Sequence, residues 1–148
     1  MQKKNKQAGF TMLEILLSLA IVVLIAGFSI PIYHRLQISN NLDIAAVTAT
    51  QTLRRAQVLS QAVDGDISWG VYIQSGSIIL FKGTSYRSRD SSFDEVFDMP
   101  TSITSSGIQE FVYIKFSGLP QHTGMLTLSS SGNEIRNIII NEKGTVTY

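Results

Sequence analysis

Phe10 to Tyr33 reads FTMLEILLSLAIVVLIAGFSIPIY, 24 residues in which Glu14 is the one charge, and this stretch decides the fold. From Ile15 to Tyr33 there are 19 consecutive uncharged residues. A helix of that length covers roughly 28 Å, close to the ~30 Å hydrocarbon core of a bilayer. Immediately upstream, MQKKNKQAG carries Lys3, Lys4 and Lys6 and no acid. That basic flank is expected to hold its end on the cytoplasmic side and send everything after Tyr33 across the membrane. A cleavable secretory signal fits less well, because its apolar region runs only ~7 to 15 residues and is followed by a small-residue cut site. Here the small residue, Gly9, comes before the run. Near the end of the span, Pro31 is expected to bend the helix, with Gly27 loosening the preceding turn and neighbouring groups satisfying the freed carbonyl.

Around this segment, composition closes several doors. The chain has 148 residues and net charge +1, so the +3 carried by residues 1 to 9 leaves the remainder at −2. Affinity for nucleic acid would therefore need a local patch. With no cysteine, a disulfide-stapled mini-protein, a thiolate zinc site, an iron-sulfur centre and a cysteine nucleophile are all excluded.

Glu14 is the residue that a simple anchor leaves unexplained. A carboxylate inside an apolar span costs on the order of 2.5 to 3.5 kcal/mol, so an intramembrane acid is a functional candidate. It has a plainer reading as well, in which Glu14 sits at the interface and snorkels to headgroups. A cut between Gly9 and Phe10, however, would create an α-amino group four residues from the acid, and the two charges could neutralise each other between packed subunits. The Lys-rich leader followed by Gly9, Phe10, Thr11, Met12, Leu13 and Glu14 and an apolar run closely resembles the class III signal of type IV prepilins and type II secretion pseudopilins. That resemblance implies cleavage between Gly9 and Phe10 by a membrane-embedded prepilin peptidase, methylation of the new Phe10 terminus, and a role for Glu14 in filament assembly. It also implies partnership with other pilin or pseudopilin subunits, an inner-membrane assembly platform and the lipid bilayer.

Beyond Tyr33 the apolar residues Leu42, Ala46, Ala49, Leu53, Ala56 and Val63 recur at heptad-like spacing, interrupted by Ser60. With no proline or glycine between them, and Asp64-Gly65 as a stop, one long helix is expected from Phe10 to Val63, its second half amphipathic and packed on a sheet. Arg54 and Arg55 flank the stripe and read as a solvated face. From Ile67 the period becomes two: Ile67, Trp69, Val71 and Ile73 alternate with polar or small neighbours, and Ser75-Gly76 turns the chain into Ser77 to Lys82. Further strands are expected at 111–117, 125–129, 135–141 and 145–148, with 118–124 a connecting loop because Pro120 excludes a central strand. Residues 83–107 lack regular pattern and read as an interaction loop or as short edge strands. The predicted organisation is a leader at 1–9, a transmembrane and assembly helix at 10–33, an amphipathic helix at 34–63 and a globular β domain at 64–148. The fold class is α+β, a long N-terminal helix on a C-terminal antiparallel β-sheet or sandwich.

That layout, with RRAQVLSQAVDGDISWGVYI at the helix-to-sheet junction and GNEIRNIIINEKGTVTY at the end, is similar to the GspH/FimT-type minor pseudopilins. The similarity implies a pair of sheets on the helix and a low-abundance subunit near a filament tip. It implies a single-pass inner-membrane precursor whose N-terminus is cytoplasmic and whose C-terminal domain is periplasmic or extracellular, later part of a pilus or pseudopilus.

Nothing in the sequence supports catalysis or a cofactor. His34 and His122 have no second histidine at ligand spacing, the glycine clusters lack a P-loop lysine, and the serines lack a nucleophile elbow. Asp94, Glu95 and Asp98 lack the spacing of a calcium loop and read as solvated surface. Two other functions compete with filament assembly. One is DNA contact in an uptake pilus through Lys82, Tyr86, Arg87 and Arg89, where cations flank an aromatic ring; the excess of acids over bases after Asp64 weighs against it. The other is a membrane-anchored domain that never polymerises.

Overall fold

The computed structural model describes residues 9–148, with the side chains of 28–32 outside that description. The predicted leader, Gly9 excepted, therefore lies outside the described residues. The first element is a single helix, α1, Met12–Gln61. It starts where Thr11 ends the extended chain: the Thr11 side-chain oxygen accepts a bond from Glu14 N–H at 3.3 Å, and the Thr11 carbonyl accepts from the N–H groups of Glu14 and Ile15 at 3.1 Å. A threonine three residues before a glutamate is the signature of a capping box, of which the threonine half is made. The helix ends two residues before the predicted Val63 because Val63 itself turns left-handed, with φ 58° and ψ 33°. Asp64-Gly65 forms the 3-10 turn that follows, with Gly65 at φ 67°.

The chain divides into two compact units, residues 1–36 and 37–148. In the first, the described side chains of α1 from Met12 to Ile25 are exposed around the whole helix, including Leu13, Ile15, Leu16, Leu17, Val22 and Leu24. Among the described residues no helix is long and apolar enough to cross a membrane. The predicted span from Phe10 to Tyr33 runs through residues 28–32, whose side chains lie outside the description. Backbone helix continues through Pro31.

The second unit is two four-stranded antiparallel sheets with the C-terminal half of α1. Its strands are β1 (Trp69–Gln74), β2 (Ser77–Lys82), β3 (Asp90–Asp98), β4 (Ile103–Gly107), β5 (Glu110–Tyr113), β6 (Gly124–Ser130), β7 (Ile135–Ile140) and β8 (Val146–Thr147). The first sheet has the order β3-β2-β1-β5 and the second β4-β6-β7-β8. The segment 83–107 is thus not irregular: it supplies one edge strand to each sheet. Most of β3 and β4 is exposed or half-buried, so neither carries the alternation that marks a strand buried on one face. β5 stops at Tyr113, short of the expected Ser117, because the chain folds back through Ile114–Leu119, whose Ile114 N–H donates to the Leu119 carbonyl at 2.8 Å.

A single core joins both sheets to the helix. Leu42, Ala46, Ala49, Leu53 and Ala56 meet Val71 and Ile73 of β1, Leu80 of β2, Phe111 and Tyr113 of β5, and Leu126, Leu128, Ile138 and Ile140 of the second sheet. The alanines let the helix approach closely, and Ala45, outside the predicted stripe, widens the buried face. Val63 falls outside the core because the helix has already ended. The interruption at Ser60 has a structural use: its buried hydroxyl donates to the Tyr113 carbonyl at 3.0 Å and accepts from Trp69 N–H at 2.9 Å, pinning the last helical turn to β1 and β5. Arg54 and Arg55 are exposed yet engaged, Arg54 donating to the Val146 carbonyl at 3.3 Å and Arg55 forming a two-pronged ion pair with Glu95 at 2.6 and 2.7 Å.

Candidate processing and assembly site

The site assembles around the start of α1. Gly9 and Phe10 precede the helix in extended or irregular chain, and Phe10 is 79% exposed. Among the described residues, a methyl group built onto Gly9 would meet nothing within 4 Å, and Gly9 is not among the glycines with positive φ. Neither packing against the described residues nor backbone conformation therefore demands glycine at this position. Glu14 lies in the first turn, where a carboxylate interacts favourably with the unpaired N–H groups at the helix start, an effect of about 0.3 to 1 kcal/mol. Ser18 donates to the Glu14 carbonyl at 2.7 Å. The surrounding surface is apolar on every side of the helix, with one acid and no described base beside it. Thr11 was not read as a site residue from sequence, although the Thr11-x-x-Glu14 spacing signals its capping role.

Such a helix cannot satisfy its apolar surface alone and needs lipid or other helices around it. Residues 4–30 match the prokaryotic N-terminal methylation motif. The motif takes in Gly9, Phe10 and Glu14 and most of the apolar run, and it supports a type IV pilin-like protein. Motifs of this type imply processing by prepilin peptidase and assembly with other pilin subunits. No curated protein and no solved structure matches the chain.

Of the four residues considered for DNA contact, Tyr86 and Arg89 meet on the outer face of the first sheet, whereas Lys82 alternates with core-facing Ile78 and Leu80 and lies beside Gly65. The structure therefore does not gather all four, and most of their chemistry is already engaged. Tyr86 stacks on Tyr72 with ring centres 4.0 Å apart, and the Arg89 guanidinium lies 3.7 Å from the Tyr86 ring centre. Two planar groups that close must take opposite faces, so both faces of the ring are occupied. Arg89 also holds Asp94 through Nε at 2.8 and 3.0 Å and donates to the Tyr86 carbonyl at 2.8 Å. Asp94 raises the Arg89 pKa further above its ordinary value, chiefly through the hydrogen bond. Lys82 caps the Phe93 ring at 4.1 Å. Arg87 is exposed and makes no ion pair among the described residues.

Asp94 and Glu95 are adjacent on β3 and serve different cations, Arg89 and Arg55; Asp98 is exposed at the strand end. Nearby Asp90 has its pKa lowered, first by the Ser92 hydroxyl and then by the Ser92 N–H. Among the described residues no group of three or more histidine, cysteine, aspartate or glutamate side chains is placed to hold a metal ion.

Proposed function

We propose that the protein is a minor pseudopilin, processed between Gly9 and Phe10, methylated at Phe10, and assembled through α1 into a type II secretion or type IV pilus-like filament, near its tip. The observation that carries this reading is a helix apolar on all sides with a single acid in its first turn, lying inside the methylation motif. An all-round apolar helix inserts in lipid first and can then exchange lipid for neighbouring helices. In that environment a lone carboxylate is costly, and an amine freed at Phe10 of an adjacent subunit offsets the cost. The open surroundings of Gly9 fit a glycine selected by the enzyme that cuts there rather than by the fold. On this reading the protein is a structural subunit and the inner membrane is its first location, with the β domain beyond it.

Two substitutions test the proposal. Gly9→Phe is expected to leave a precursor heavier by the nine leader residues, while the β domain folds normally. Glu14→Ala is expected to be processed and inserted but absent from sheared filaments. If Glu14→Ala enters filaments as well as the parent chain does, the charge has no assembly role and the non-polymerising anchor becomes the better account. The DNA reading is tested by gel shift of the full chain in detergent across a salt series, where retardation that weakens with salt would support it.

A further inference from the structure

On the outer face of the first sheet, away from the start of α1 in sequence, a cleft of about 260 Å³ is lined by Thr84, Ser85, Glu110, Val112, Gln121 and His122. We infer that this cleft binds an organic cation of side-chain size, an alkylammonium or alkylguanidinium group, with Glu110 as its counter-ion. The floor is β5, which contributes Glu110 and the nearly buried Val112. One wall is the Thr84-Ser85 segment and the other the chain after Pro120.

Glu110 is half-buried, and its Oε1 accepts the Tyr86 N–H at 2.8 Å. That bond fixes the carboxylate and uses one oxygen. The second oxygen has no hydrogen bond among the described residues, and Glu110 is in none of their ion pairs. The cations on neighbouring segments do not neutralise it: Lys115 is paired with Asp66, Arg89 is held by Asp94 and by the Tyr86 ring, Lys82 covers Phe93, and Arg87 makes no ion pair among the described residues. A partly desolvated carboxylate without a counter-ion favours a charged donor over water.

The walls are rigid before any ligand arrives. Tyr86 is clamped between Tyr72 and Arg89 with its edge on Phe81, which fixes the Ser85 side; Gln121 N–H donates to the Val112 carbonyl at 2.8 Å, which fixes the other. The hydroxyls of Thr84 and Ser85 and the Gln121 amide oxygen are further acceptors, and ammonium and guanidinium groups supply three and five N–H donors. Val112 offers an apolar surface for the aliphatic stem of such a cation. With one carboxylate and one imidazole, the cleft lacks the third ligand a metal ion would need.

The test uses the full chain in detergent micelles, labelled with nitrogen-15 and titrated with n-butylammonium chloride, n-propylguanidinium chloride and, as the neutral counterpart, n-butanol. Saturable shifts of the Tyr86, Glu110, Gln121 and His122 amide signals are expected with both cations and none with butanol. E110Q keeps an oxygen for the Tyr86 N–H, so the wall is preserved, and it is expected to weaken cation binding at least tenfold. Equal binding by E110Q, equal shifts with butanol, or no saturable shift with either cation would overturn the inference. The source of the cation is separated in cells by a photo-crosslinking residue in place of Thr84: an adduct on a peptide carrying a lysine or arginine beside the link identifies a neighbouring protein's side chain, whereas probe binding without an adduct identifies a free small cation.

Discussion

Ser60→Ala removes a side chain that bonds α1 to two strands at once. The hydroxyl is fully buried, 2.9 Å from Trp69 N and 3.0 Å from the Tyr113 carbonyl oxygen. Alanine fits the same space, so no cavity or clash complicates the result; what changes is that a buried donor and a buried acceptor lose their partner. Each such group costs roughly 1 to 3 kcal/mol. Because strand ends relax and admit water more readily than strand centres, the pair is expected to cost about 2 to 4 kcal/mol out of a total of about 5 to 15. Urea unfolding of the full chain in a non-ionic detergent, followed by fluorescence, measures it directly. Trp69 is the single tryptophan and sits at the affected junction, with its indole N–H on the Asp64 carbonyl at 3.0 Å. The control is Ser88→Ala, an exposed serine whose hydroxyl bonds only its own turn, expected within about 0.5 kcal/mol of the parent. A Ser60→Ala loss as small as that of the control would refute the claim that this hydroxyl pins the helix to the sheet.

Tyr113→Phe should act in the opposite direction, because the buried Tyr113 hydroxyl has no hydrogen-bond partner among the described residues; removing it is expected to stabilise the domain by about 1 kcal/mol in the same unfolding assay. The pH dependence of that variant carries a sign. Burial raises the Tyr113 pKa above its ordinary value of 10.0, so above about pH 10 the unfolded chain loses a proton that the folded one keeps, and stability falls with rising pH by up to about 1.4 kcal/mol per unit. The fall should be shallower in Tyr113→Phe, and identical slopes would show that the phenol is hydrated. Val63, β-branched and left-handed at φ 58°, carries a backbone cost of about 1 to 2 kcal/mol. Val63→Asn is expected to recover roughly 0.5 to 1 kcal/mol, and a loss of stability would mean that the half-buried valine packing outweighs the strain.

How much of this was legible in the sequence depended on whether the deciding contacts were local. β2 was read with its observed limits because a continuous apolar core, SIILFK, follows a Ser-Gly turn whose glycine sits at φ 89°. β3 is longer and legible only as one of two readings of 83–107, an edge strand without limits, since its neighbour β2 supplies the hydrogen bonds while DSSFDEVFD keeps most side chains in solvent. The early end of β5 was invisible for a related reason: Phe116 adopts φ 70°, a conformation that glycine would have announced and phenylalanine does not. Ser60 looked like a flaw in an apolar stripe because its partners, Trp69 and Tyr113, lie on other elements.

The same distinction separates the two site readings. On the proposed reading, Gly9, Phe10 and Glu14 act through a fixed register along one segment, which is why the sequence alone suggests them. Lys82, Tyr86, Arg87 and Arg89 are equally close in sequence, but their availability is decided by Tyr72, Asp94 and Phe93, which arrive from other strands and occupy the ring faces and charges. The Glu110 cleft inverts that case. Its walls come from three separated segments, so no local pattern could mark it, and the groups that cover Tyr86 also hold the N–H that fixes Glu110 in place. Loosening the stack, as Arg89→Ala would, should therefore disturb the cleft while leaving the helix motif untouched, which makes the two surfaces separable by mutation within one chain.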